Sequence, residues 1–339
     1  MSDQLFLRRW VMQRNRALPR KIILAKPRGF CAGVDRAIDI VNLALELYQP
    51  PVYVRKQIVH NGYVIEALAR KGAIFVEELD EVPEGALIIL SAHGVSPDVF
   101  QKAQERRLNV IDATCPLVTK VHAEVKRFAG EGLSIILIGH EGHDEVIGTM
   151  GEVPGQVQLV STVEQAEHVR VPDCSKVAVT TQTTLSVDDA RAILDVLKRR
   201  FPELQTPASD DICYATQNRQ AAVKLIAQQS DLVLVVGSDN SSNSERLREV
   251  AESSGARAYL IDNASEIQTD WLVGAEVIGI TAGASAPEKL VQEVVEYFRD
   301  MGVETCEELE AMTEKVAFAL PSIKFQEFAK GAGGSGSGQ

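Results

Sequence analysis

The chain has 339 residues, 45% of them hydrophobic and 24% charged, a balance that suits two or three globular domains with cores of their own. Its formal charge of −12 leaves no broad basic footprint, so no nucleic-acid partner is expected. The longest apolar runs, such as Ser134–Ile138 and Leu232–Val236, fall far short of the roughly 20 residues that span a bilayer, so no membrane partner is expected either.

Residues 1–20 carry Arg8, Arg9, Arg14, Arg16 and Arg20 against a single Asp3. A transit peptide competes here with a solvated N-terminal extension over 1–19, and the extension is the reading taken. Five cysteines, an odd number spread over a long chain, indicate a reducing compartment, and the expected location is the cytoplasm. Cys31 opens the first periodic stretch, in which Val34, Ile38, Val41 and Leu45 fall at helical spacing and predict a helix with one buried stripe. The β-branched run Val52–Val54 then leads to a polar loop at His60–Gly62, and Leu87–Leu90 leads to another at Ser91–His93.

Cys115 starts a second stretch of the same kind, with Val118, Val121, Val125 and Phe128 on one face. Pro116 suits a first helical position, where its missing N–H costs nothing. Ile135–Ile138 runs into Gly139–Glu145, and Val177–Val179 into Thr180–Thr183. Cys213 starts a third, weaker stripe of Ala222, Leu225 and Ile226, after which Val233–Val236 leads to Gly237–Asn243 and Val277–Ile280 to Thr281–Ser285. Gly331–Gln339 is almost all Gly and Ser and reads as a flexible tail.

The repeated order, cysteine then helix then strand then polar loop, is an internal repeat. It predicts an α/β fold of three pseudo-repeated small units with mostly parallel sheets around a common centre. The expected units are 20–114, completed by 288–325, then 115–210 and 211–287. Buried parallel strands end in functional loops, and ligands gather at those ends. If a pseudo-threefold axis relates the units, the cysteines and six polar loops converge; the alternative is three independent domains that share a fold.

Three thiols at helix N-termini form a soft ligand set, for which an iron-sulfur cluster or zinc is favoured over calcium or magnesium. Their wide separation excludes a local zinc site of paired CxxC motifs. Three sulfurs on a four-iron cluster would leave one iron open. Cys306 keeps the beat of the repeat, but the acidic Glu307–Glu310 after it leads to no new unit, so it is read as an idle thiol; Cys174 lies off the beat and reads as inert.

The six loops contain no Lys or Arg but many His, Ser, Thr and Asn, donors that can hold a compact anion together with helix N-termini. Ser241–Ser244 and Ser285–Glu288 also read as plain N-caps. His60, His93 and His143 lie in different loops, where a lone histidine is more commonly an ordinary surface group. His140–His143 lacks the HExxH spacing of a helical zinc site. Glu145 is the convergent acid nominated for proton transfer; its plainer role is favourable charge at a helix N-terminus.

The stretches Pro27–Ala37, Ser91–Val95, Asp112–His122, Thr181–Asp189, Asp211–Ala215, Val236–Ser244 (apart from Asp239) and Thr281–Pro287 together closely resemble the 4-hydroxy-3-methylbut-2-enyl diphosphate reductase family. The resemblance spans about residues 21–290. It implies reduction of a small allylic diphosphate to isopentenyl and dimethylallyl diphosphates, the last step of the methylerythritol phosphate route, with electrons from an external one-electron donor such as ferredoxin or flavodoxin. It also implies one 4Fe-4S cluster with three cysteine ligands, Cys31, Cys115 and Cys213, whose open iron takes the substrate hydroxyl. On the same basis His60, His93, His143, Ser241, Ser242, Asn243 and Ser285 are expected to hold the diphosphate, and Glu145 with Thr183 to relay protons. The competing class is a non-catalytic metal-cluster module that binds phosphorylated ligands.

Overall fold

A computed structural model describes residues 19–321; the readings made for residues 1–18 and for the Gly/Ser tail lie outside them. In chain order, β1 (Lys21–Lys26) is followed by α1 (Ala32–Tyr48), β2 (Val52–Arg55), α2 (Gly62–Ala69), β3 (Ala73–Val76), β4 (Leu87–Leu90), α3 (Pro97–Glu105) and β5 (Asn109–Asp112). Next come α4 (Pro116–Gly130), β6 (Ser134–Ile138), α5 (Asp144–Gly151), β7 (Val157–Val160), α6 (Val163–His168), β8 (Val177–Thr181) and α7 (Val187–Arg200). The remainder is α8 (Tyr214–Ala227), β9 (Leu232–Val236), α9 (Ser242–Ser253), β10 (Arg257–Ile261), β11 (Val277–Ala282), α10 (Glu288–Asp300) and β12 (Thr305–Glu310).

The strands form three sheets, ordered β10-β9-β11-β1-β12, β3-β2-β4-β5 and β7-β6-β8, and their ladders are parallel. Parallel sheets are covered on both faces, and that is why strands such as β4 and β9 are buried at every position. The fold is therefore three small, mostly parallel α/β units. Cys31, Cys115 and Cys213 are the N-cap residues of α1, α4 and α8, so each repeat starts a helix at its cysteine.

Sheet membership departs from the expected first unit. Of the expected segment 288–325, the described part, 288–321, does not complete it: β12 pairs with β1, and β1 with β11, in the sheet of the third unit. α1, by contrast, buries Val34, Ala37, Ile40 and Val41 against Val52, Val54 and Ile89 of the neighbouring sheet. The chain thus passes from one unit to the next within residues 27–31.

That crossing is held by Arg219 of α8, which is fully buried. Its Nε and one terminal nitrogen donate to Gly29 O at 2.9 and 2.7 Å, and it also reaches Phe30 O at 3.0 Å. The other terminal nitrogen donates to Ala215 O and to the Glu314 carboxylate, both at 3.0 Å. Gly29 sits at φ 69°, a left-handed conformation that favours glycine. Arg219→Met should therefore lower unfolding stability by about 3–5 kcal/mol, because it leaves Glu314 and several buried carbonyls without their donor. Denaturant unfolding checks this, and a loss below about 1 kcal/mol would show that the crossing does not depend on Arg219.

Candidate active site

The carboxyl ends of the strands point toward one cavity, the place where ligands gather in parallel α/β folds. Every site residue nominated from the sequence lines it: Cys31, Cys115 and Cys213; His60, His93 and His143; Glu145 and Thr183; Ser241, Ser242, Asn243 and Ser285. Cys174 and Cys306 are not in its wall. Cys306 lies in β12 opposite Ile22 of β1, and Cys174 is exposed.

The three histidines come from three loops and meet as a cluster. The His60 and His93 rings stack at 4.0 Å, and His143 stands edge-on to them at 5.7 and 6.0 Å. His143 caps α5, its Nδ1 accepting from Glu145 N at 3.2 Å. This bond assigns the neutral ring's proton to Nε2, so the exposed edge is a donor. Burial lowers the pKa of His60, takes His93 well below its ordinary value, and lowers His143 to about 4.

Opposite them, Ser241 caps α9 by accepting from Ser244 N at 3.4 Å. Ser285 Oγ donates to His60 O at 2.9 Å and lies 3.3 Å from Ser241 Oγ. Asn243 Oδ1 accepts from Ala284 N at 2.8 Å, and its amide donates to Thr216 Oγ1 at 3.3 Å. Ser242 Oγ lies 3.1 Å from Thr184 Oγ1. These bonds hold short hydroxyl and amide groups around the N-terminus of α9, where the helix dipole favours an anion.

Glu145 is 3% exposed. Its Oε1 accepts from Thr183 N at 2.6 Å and its Oε2 from the Thr183 hydroxyl at 2.9 Å. Burial raises its pKa from 4.5 to about 7, against the lowering effect of the two Thr183 bonds. A carboxyl in that range holds or releases a proton near neutrality, which is what a general acid requires.

The thiols behave differently from the sequence expectation. Cys115 Sγ would stand 2.7 Å from a Cβ added at Gly33, and Cys31 Sγ 3.9 Å from it, so a side chain at position 33 would crowd them. The three sulfurs share a cavity wall, but they do not all lie within 4.8 Å of one another. Among the described residues, the group whose donor atoms all lie within 4.8 Å of one another is His60, His93 and Asp144. The expected cofactor, one 4Fe-4S cluster with Cys31, Cys115 and Cys213 as its ligands, is corrected accordingly. Burial also pushes Cys115 up to about 12 and Cys213 up to about 11 despite backbone donors at their helix starts. Desolvation outweighs the helix N-terminus, so these two are neutral thiols here rather than thiolates.

Several residues around the site carry no role that the sequence assigns. Lys56 lies just past β2, outside the cation-free polar loop at His60–Gly62, and pairs with Asp144. Tyr214 and Thr216 follow Cys213 directly; Thr216 N donates to Cys213 Sγ at 3.3 Å, and the Tyr214 hydroxyl accepts from Ala32 N at 3.3 Å. Gln182 Oε1 accepts from His140 N at 3.0 Å. Proximity to a nominated residue was the available signal for all of these.

Comparison with known proteins assigns the chain. The family model described as LytB protein matches residues 22–299. The chain belongs to the LytB protein family. A relative from Acidothermus cellulolyticus named 4-hydroxy-3-methylbut-2-enyl diphosphate reductase is 61% identical over 303 residues, 89% of each chain. Another of that name from Bordetella bronchiseptica is 59% identical over 305 residues, 90% of this chain and 94% of the relative. A solved structure of the E-1-hydroxy-2-methyl-but-2-enyl-4-diphosphate reductase from Plasmodium falciparum superposes with a TM-score of 0.85 at 40% identity, covering 89% of this chain and 96% of that one.

In this LytB chain the half-buried His143 gives a signed pH effect. A histidine whose folded pKa lies below its unfolded value binds fewer protons when folded, so its contribution is whole above 6.5 and is lost as pH falls toward 4. Between about pH 7.5 and about 5.5 the loss is about 1.4 kcal/mol. His143→Asn, which keeps a capping side chain, should reduce the fall in unfolding stability across that interval by about this amount. An unchanged pH dependence would place the His143 charge in solvent.

Proposed function

We propose that this chain reduces 4-hydroxy-3-methylbut-2-enyl diphosphate to isopentenyl and dimethylallyl diphosphates, the reaction its named relatives suggest. The observation that carries the reading is the meeting, in one cavity, of a buried proton-holding carboxyl and a cluster of neutral anion-binding groups. The balance is loss of the allylic hydroxyl as water, with uptake of two electrons and two protons. The electrons come from an external one-electron donor such as ferredoxin or flavodoxin. Five free cysteines support a reducing compartment, the cytoplasm. No helix among the described residues is long and apolar enough to cross a membrane.

His60, His93 and His143 bind the diphosphate on one side, and Ser241, Ser242, Asn243 and Ser285 on the other. In neutral form the histidines offer N–H donors; once the anion is against them, its charge raises their pKa and recruits protons. Ser241, Ser242 and Asn243 sit at the start of a twelve-residue helix, where backbone N–H groups add to the anion site. Anchored at that end, the substrate directs its hydroxyl-bearing carbon toward Glu145 and Thr183. Glu145 supplies the proton that turns the departing hydroxyl into water, and the Thr183 hydroxyl, 2.9 Å from Oε2, passes it on.

Anaerobic turnover of the allylic diphosphate with a chemical one-electron reductant tests this reading by counting the two products. The wild-type chain should form both, and Glu145→Gln should cut kcat roughly 100-fold or more while KM moves only a few-fold. Near-normal turnover by the variant would remove Glu145 from proton delivery. No product from the wild-type chain under these conditions would overturn the proposed reaction.

A further inference from the structure

No Lys or Arg lines the cavity among the described residues, yet the proposed ligand is a polyanion. One carboxylate does reach the histidines: Asp144 belongs to the group in which its oxygen and the His60 and His93 ring nitrogens all lie within 4.8 Å of one another. Left alone, that negative charge would oppose a diphosphate at the same histidines. It is not alone, because Lys56 Nζ donates to Asp144 Oδ1. Their side chains are only 26% and 19% exposed, so solvent screens the pair incompletely.

The pair also joins two units. Lys56 follows β2 of the first sheet and Asp144 starts α5 of the second. The Lys56 backbone is fixed by donation from its N–H to Val76 O at 2.6 Å and sits at φ 55°, a left-handed conformation that a lysine adopts only where its surroundings hold it. A second cavity lined by Arg55, Lys56, Ser91, Gly94 and Asp144 lies beside the pair; Arg55 itself is directed to Glu78. Lys56 is thus the cation placed to answer Asp144.

We propose that Lys56 and Asp144 act as one charge-compensating pair that sets the affinity of the histidine cluster for diphosphate. Lys56 cancels the carboxylate so that the pocket accepts a polyanion, and Asp144 fixes the lysine where its charge still acts on the bound phosphates. Both are positioning residues rather than catalytic ones. The effect scales with ligand charge, so it discriminates a diphosphate from a monophosphate. The lowered pKa values of all three histidines include a contribution from Lys56, and Asp144 opposes it at His60 and His143, consistent with both charges being felt at the cluster.

The proposal rests on the reading of the cavity as a diphosphate site, and the test separates the two. Titration calorimetry with inorganic diphosphate and, separately, inorganic phosphate is run on wild type, Lys56→Met, Asp144→Asn and the double variant, with KM and kcat for the allylic diphosphate measured alongside. Lys56→Met should weaken inorganic diphosphate by at least about 10-fold and phosphate less, with most of the kinetic loss in KM. Asp144→Asn should bind diphosphate at least as tightly as wild type. The double variant should return to within about 3-fold of wild type, because the uncompensated carboxylate has gone. Wild-type affinity in Lys56→Met, weakened binding in Asp144→Asn, or a double variant as weak as Lys56→Met would each overturn the pair's role. Should Lys56→Met not fold, the Asp144→Asn and double-variant results decide the matter. A wild-type chain that binds diphosphate without reducing the allylic substrate would overturn the reductase reading alone.

Discussion

The two hydrogen bonds between Thr183 and the Glu145 carboxyl organise the centre of this molecule. Thr183 follows β8, Glu145 lies in the first turn of α5, and the Thr183 carbonyl accepts from Cys213 N at 3.0 Å. One residue therefore ties two loops of the second unit to the helix start of the third. Burial of the carboxyl follows from that arrangement, and the burial raises its pKa to about 7. Without Thr183 as a double donor the carboxyl would have no partner in the interior, and solvation would draw it outward and restore its ordinary acidity.

The fold brings such groups together because parallel strands in all three sheets deliver their loops to the same side of each sheet. Short polar residues at these loop ends serve two purposes. Ser241 and His143 cap helices, which stabilises α9 and α5 locally, and the same geometry leaves N–H and O–H groups facing the cavity. The crossing at residues 27–31 places Cys31 at the junction of two units, and buried Arg219 fixes that junction from the third. Fold stability and site geometry are thus coupled through backbone carbonyls as well as through side-chain contacts.

Much of this was legible in the sequence. Helical spacing after Cys31, Cys115 and Cys213, and the apolar runs before each polar loop, follow from local periodicity, which needs no knowledge of the tertiary structure. Sheet membership was not legible: β1 and β12 join the sheet of β9–β11, a long-range choice that local pattern does not encode. Lys56 was not legible either: it falls between the β-branched run Val52–Val54 and the polar loop at His60, and its partner Asp144 is distant along the chain. The protonation of the thiols was not legible because a helix N-terminus shows in the local pattern, whereas desolvation, the larger effect at Cys115 and Cys213, follows from the fold. The pairing of Glu145 with Thr183 came from family resemblance, since the residues lie far apart along the chain.

The central claim is that the cavity keeps a proton on a buried carboxyl near neutral pH. Difference infrared spectroscopy of wild type against Glu145→Gln, titrated between about pH 5 and about pH 9, reads that proton directly in the carboxylic C=O band. A protonated Glu145 band should be present at low pH and disappear with a midpoint of about 7. A carboxylate already ionised throughout that range, as an ordinary solvent-exposed glutamate would be, would contradict it.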